Sequence, residues 1–145
     1  MGSSEAPAEE ASVQAATEAW IAAFNRCDAA AIAALYDPQA VLWGTTAPQL
    51  ITTPQGIAAY FDAVFALRPA PRMALVDALP RVFGDVAVST GRYTLALAQP
   101  PQLRQVPARF SFTYRRTAGA WRIVDHHSSA MPVPLTALTA LAAAS

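Results

Sequence analysis

The chain has 145 residues, of which 54% are hydrophobic and 14% charged. That length fits one domain, and the apolar content excludes a disordered chain. The ten basic residues, all arginine, balance ten acidic ones, which removes the electrostatic reason to expect nucleic acid or an anionic membrane as partner.

Residues 1–8 read as a flexible tail. They lack the basic and apolar regions of a secretory signal, and no uncharged apolar run reaches the roughly 18 residues of a membrane span, so a cytoplasmic location is expected. From Glu9 to Arg26 the pattern is helical: Val13, Thr17, Trp20, Phe24 and Cys27 recur at three- and four-residue steps. Cys27 is the only cysteine; it excludes an intramolecular disulfide and reads as a buried structural residue. Asp28 caps a short second helix, Ala29–Leu35, which Asp37-Pro38 should stop. Ala40–Trp43 is a short strand ended by Gly44, and Thr45–Thr53 is a polar loop. Thr53-Pro54 opens a third helix with Ile57, Tyr60, Phe61, Val64 and Phe65 on one face, broken by Leu67–Pro71. Strands follow at Arg72–Phe83, Val86–Ala98, Val106–Arg116 and Trp121–Met131. Gly84-Asp85 and Ala118-Gly119 are hairpin turns, Pro100-Pro101 marks a longer loop, and Pro80 implies an edge strand or a bulge. The segment 133–145 reads as a tail or short helix carrying Leu135, Leu138 and Leu141. Helices followed by a meander of long strands give an α+β domain over residues 9–132.

Several segments resemble known proteins. Gly119-Ala120-Trp121-Arg122-Ile123-Val124-Asp125-His126-His127-Ser128-Ser129-Ala130-Met131-Pro132 is similar to the closing strand of the calmodulin-dependent kinase II association domain. Asn25-Arg26-Cys27-Asp28, Leu42-Trp43-Gly44-Thr45-Thr46 and Gly91-Arg92-Tyr93-Thr94 resemble the bacterial SnoaL-like, SgcJ/EcaC-type proteins. All are members of the nuclear-transport-factor-2-like superfamily, and the resemblance runs from Val13 to Pro132. It implies a cone: a bent antiparallel sheet wrapped around the first helix, with a pocket at one end, in a protein that is commonly a homodimer. The superfamily includes isomerases, dehydratases, cyclases, hydrolases, ligand binders and assembly modules, so fold alone leaves function open.

Candidate site residues follow from the strands. Side chains alternate between faces, so His126 and Ser128 share one face and Asp125 and His127 the other; one pair looks into the cone. Histidine suits general acid/base work near neutrality, which makes His126, His127 and Asp125 the catalytic candidates. Adjacent strand residues point apart and cannot chelate one ion, and no ligand spacing supports a metal site. Arg92 lies mid-strand among small and apolar residues; facing a cavity it would hold a carboxylate or other oxyanion, and by resemblance it falls where the kinase domain places a pocket arginine. That domain's closing-strand arginine aligns with Ser128. Trp20, Tyr60 and Trp43 are candidate pocket walls, Trp43 because it ends a strand before Gly44. The catalytic sets of relatives are largely missing: the first helix offers no tyrosine, and Arg92 is followed at the acid's spacing by Thr94. No cofactor fingerprint is present. Two readings compete: a pocket for an apolar or anionic small molecule with acid/base chemistry of an isomerase, cyclase or hydrolase type, or a non-catalytic homo-oligomeric association module.

Overall fold

The computed structural model describes residues 2–135; the expected tail residues Leu138 and Leu141 lie outside that range. Helix α1, Gly2–Asn25, begins ahead of the expected Glu9 and carries Pro7 within it. Its periodic face buries Val13, Thr17, Trp20 and Phe24 to 3% exposure or less. The helix ends in a Schellman arrangement, with the Cys27 amide donating to the Phe24 carbonyl and the Asp28 amide to that of Ala23. Cys27 takes a left-handed backbone, φ 52°, to complete it. Asp28 then caps α2, Ala29–Ala33, by accepting from the Ala31 amide at 3.0 Å.

The chain passes directly into β1, Tyr36–Trp43. Asp37-Pro38 therefore lies inside a strand instead of stopping the helix. Pro38 is tolerated because β1 is an edge strand whose register slips between Tyr36 and Val41. Thr53 and Pro54 start α3, Pro54–Phe65, as expected: the Thr53 hydroxyl accepts from the Gly56 amide.

Four long strands complete the sheet: β2 Arg72–Phe83, β3 Val86–Gln99, β4 Gln102–Thr117 and β5 Ala120–Ala130. Pro100-Pro101 is a two-residue turn, because the β3–β4 ladder continues to Gln99 and Gln102. Gly84 and the pair Ala118-Gly119 supply the positive φ of the other two hairpins. The sheet order is β1-β5-β4-β3-β2; every pair is antiparallel except β1–β5, which is parallel. Pro80 sits on the edge strand β2, as its missing N–H requires.

Two bulges set the faces. In β2 the register shifts between Leu75 and Asp77, and in β5 Ile123 and Asp125 face consecutive residues of β4. A one-residue shift flips every later side chain. The first bulge presses β2 against β3 at Gly91, where a Cβ would lie 2.8 Å from the Ala78 Cα. Asn25 ties the end of α1 to the start of β2, donating to the Met73 carbonyl at 2.8 Å and accepting from its amide at 2.7 Å. The core fills the concave side of the sheet, between it and the three helices. Among the described residues no helix is long and apolar enough to cross a membrane.

Cys27→Gly should stabilise the fold by about 1 kcal/mol, because glycine adopts the left-handed cap without a Cβ clash. Urea denaturation checks this; an unchanged or lower midpoint would count against the cap assignment.

Candidate functional site

The centre of the concave face is the Trp20 indole. Tyr93 stacks on it at 5.7 Å, and Phe112, His126 and Phe61 meet it edge-on at 5.4, 5.2 and 6.3 Å. Between this cluster and the end of the cone lies a recess walled by Trp20, Leu42, Tyr60, Phe61, Tyr93 and Leu95, with Thr45, His126 and Ser128 at its polar side. With its mouth it encloses about 340 Å³, yet its free inner volume is only about 20 Å³, room for a single water. The aromatic side chains thus fill most of the cone. Among the described residues no carboxylate or guanidinium lines the recess.

A directed chain of hydrogen bonds crosses this region. Trp20 Nε1–H can only donate, and it donates to the Tyr36 hydroxyl at 3.0 Å. The Tyr36 proton then goes to His126 Nδ1, 2.8 Å away. A neutral imidazole that accepts at Nδ1 carries its proton on Nε2, so His126 donates to the Tyr93 hydroxyl at 3.2 Å. Tyr93 in turn donates to Ser128 Oγ at 2.6 Å, and Ser128 hydrogen-bonds Thr45. With Ser128 accepting from Tyr93, the Ser128–Thr45 pair has two hydroxyl protons and one mutual bond, so one hydroxyl proton of the pair is left at the recess. Aligned hydrogen bonds in a dry interior polarise one another.

Burial governs the titration here. It pushes His126 down to about 3, helped by the neighbouring His127, and raises Tyr36 and Tyr93 above the ordinary phenol value. His126 is therefore an uncharged imidazole at neutral pH. Protonating it would also require Nδ1 to donate to a Tyr36 oxygen already accepting from Trp20, leaving the tyrosine proton without a partner. The expectation of His126 as a general acid or base meets this obstacle: so low a value gives little drive for proton transfer.

The loop from Gly44 onward forms the mouth. Its neck is closed by paired bonds between Leu42 and Ile51, at 2.9 and 3.0 Å. Tyr60 lies over Gly44, where a Cβ would come within 2.6 Å of the phenol oxygen. The Tyr60 hydroxyl also meets the Thr46 hydroxyl at 3.1 Å.

Of the expected site residues, Trp20, Tyr60, His126 and Ser128 line the recess. Four others do not. Arg92 is on the outer face of the sheet, bound to Asp77 and about half exposed; its neighbour Tyr93 takes the inner face. Trp43 is 41% exposed on the outer side, beside His127. Asp125 and His127 share that outer face, because the β5 bulge lets both Ile123 and His126 point inward. Tyr36, Tyr93, Thr45 and Thr46 also belong to the site, although the sequence did not single them out. Alternation along β3 carried a signal: Tyr93, Leu95 and Leu97 form an apolar row that Arg92 cannot join. Among the described residues no group of three or more His, Cys, Asp or Glu side chains clusters as metal ligands would.

The low value of His126 predicts a pH dependence. Below about 6.5, the ordinary histidine value, the unfolded chain takes up a proton that the folded chain refuses. Stability should therefore fall with pH toward about 3. Near pH 5 the contribution is about 1.4 kcal/mol per pH unit. His126→Gln, which can still accept and donate, should remove that slope; urea denaturation from pH 4.5 to 7 measures it, and an unaltered slope would show that His126 does not carry it.

Known proteins share this architecture. A family model for the SnoaL-like domain matches residues 13–134. A Xanthomonas campestris protein described as a candidate calcium/calmodulin-dependent protein kinase II association domain is 31% identical, with a TM-score of 0.76 over 84% of this chain and 87% of that one. A Streptomyces avermitilis protein described as a candidate dehydratase of the NTF2-like family superposes at 0.78 with 19% identity, over 88% and 99% of the two chains. A ketosteroid isomerase-like protein from Erwinia carotovora atroseptica superposes at 0.71 with 22% identity, over 86% and 98%. Comparison with curated proteins gives no match. The chain belongs to the SnoaL-like domain family, on the NTF2-like, cystatin-like fold.

Proposed function

We propose that the chain binds a small, neutral, largely apolar molecule at the Thr45–Ser128–Tyr60 end of its cone, through one hydrogen-bond acceptor such as a carbonyl oxygen. The observation that carries this reading is the directed chain from Trp20 to Thr45, which leaves a polarised hydroxyl donor at an uncharged, aromatic-walled recess. An anionic ligand is disfavoured there because Arg92 is on the other side of the sheet and, among the described residues, no other cation lines the recess. The narrow inner volume favours a thin guest and makes half-buried Tyr60 the wall that moves to admit it. The chemistry available is polarisation of the bound acceptor by hydroxyl donors.

A second reading, homo-oligomeric association through the outer sheet face, has its own support. The cone is mostly filled, and Trp43, Leu79, Phe83 and Val86 leave 41–62% of their surface exposed on that face. Such a face suits a second copy of the chain.

Cyclohexanone and cyclohexanecarboxylate distinguish these readings by NMR titration. The ketone should shift the Thr45, Tyr60 and Ser128 resonances, the carboxylate should not shift them, and Thr45→Val should weaken the ketone about tenfold by removing one hydroxyl of the pair. Equal effects of both probes, or an unweakened Thr45→Val, would refute the neutral-ligand reading. No ketone response, combined with a dimer that sediments as a monomer after Leu79→Asp, would favour association.

A further inference from the structure

We infer that Tyr60 is a latched gate that sets the width of the guest the recess accepts; this rests on the neutral-ligand reading and names the residue that determines its specificity. The walls of the recess differ in how firmly they are held. Trp20, Leu42, Phe61, Tyr93 and Leu95 are each 3% exposed or less, so moving any of them disrupts the core. Tyr60 is only partly buried. It stands on the flank of α3, whose buried face is Ile57, Phe61, Val64 and Phe65. Its ring leans edge-on against that of Phe61, with centres 5.1 Å apart. Rotation about χ1 therefore swings the Tyr60 ring off the recess while the helix stays anchored.

The mouth is shaped to seat this ring. Gly44 is buried and has no positive φ, so its backbone does not require glycine. The phenol does: a Cβ on Gly44 would lie 2.6 Å from the Tyr60 oxygen and 2.8 Å from its Cε1. That clash falls on the far end of a side chain free to rotate, so an added methyl displaces the ring and spares the backbone. The latch is Thr46. Its amide donates to the Tyr60 oxygen at 3.4 Å, and the two hydroxyls meet at 3.1 Å. Both bonds are exposed, so water replaces them as the ring leaves and they hold it loosely. Thr46 follows Thr45 in the loop whose neck is pinned at Leu42 and Ile51, which makes latch and donor neighbours. With the ring seated, the free inner volume is about 20 Å³, against about 340 Å³ with the mouth. A guest larger than water thus binds only the open state, and its affinity is lowered by the fraction of chains that are open.

The test is an NMR titration of the whole chain with a slim ketone, methyl propyl ketone, and a wide rigid one, adamantanone. In the free chain Gly44→Ala should abolish the nuclear Overhauser contact between Tyr60 and Thr46 and leave the Trp20 indole resonance in place. The affinity for adamantanone relative to methyl propyl ketone should rise about tenfold in Gly44→Ala, through the apolar wall that the displaced ring uncovers. Tyr60→Ala should raise that ratio at least as far. Tyr60→Phe, which keeps the ring and frees it from Thr46, should strengthen both ketones by a similar factor. A Tyr60→Phe chain that binds both more weakly assigns the hydroxyl to the guest and overturns the latch. An unchanged ratio in both Gly44→Ala and Tyr60→Ala, with methyl propyl ketone still shifting Thr45 and Ser128, overturns the gate and leaves the neutral-ligand reading standing. If no form binds either ketone although the ring is displaced in Gly44→Ala, the neutral-ligand reading has failed and the gate's role in specificity falls with it.

Discussion

The structure depends on the burial of one indole. Trp20 is 1% exposed, and a tryptophan so deep must find an acceptor for its N–H or lose about 1–3 kcal/mol. Tyr36 supplies that acceptor from β1, and this fixes where the tyrosine proton goes. His126 receives it, its tautomer follows, and Tyr93, Ser128 and Thr45 are then oriented in turn. One donor on the first helix thereby sets the polarity of a chain that runs through β1, β5 and β3 to the mouth of the cone. The rings around Trp20 supply the apolar part of the same junction, so helix, sheet and recess share a single packing centre.

This arrangement explains why the histidine is poorly suited to act as an acid or base in its place. Two tyrosines and stacked Phe112, 4.1 Å away, hold a neutral ring where charge is costly. The same dry setting that suppresses proton transfer strengthens the hydrogen-bond donors beyond it. The two faces of the sheet thus differ in kind. The concave side is uncharged and nearly full, with hydroxyls at its edge. The outer side carries the arginines, His127 and several half-exposed apolar residues.

Much of the fold was legible in the residues. Val13, Thr17, Trp20 and Phe24 mark a helical stripe that the core buries, Thr53-Pro54 opens α3 where expected, and both Gly-containing hairpin turns fall where positive φ is needed. Pro80 implied an edge strand or a bulge, and β2 is an edge strand. The misreadings were local: Asp37-Pro38 did not end a helix because an edge strand can carry a proline, and Pro100-Pro101 made a tight turn because the flanking strands pair to their last residues. The site was partly legible. Trp20, Tyr60, His126 and Ser128 converge, and Tyr93 could have been assigned inward from its alternation with Leu95 and Leu97.

The sequence by itself determined which residues could share a face, since strand alternation and helical periodicity are local properties of the backbone. It also determined that His126 and His127 must point apart. Only the tertiary structure decided which of them is inside. That choice rests on the β5 bulge, which lets Ile123 and His126 both face the core, and a bulge arises from how two strands fit and not from either strand alone. The same holds for the β2 bulge that brings Asp77 to Arg92, for the parallel pairing of β1 with β5, and for the direction of the hydrogen-bond chain. Each depends on groups far apart in the chain meeting in a dry interior, where every donor must find its acceptor.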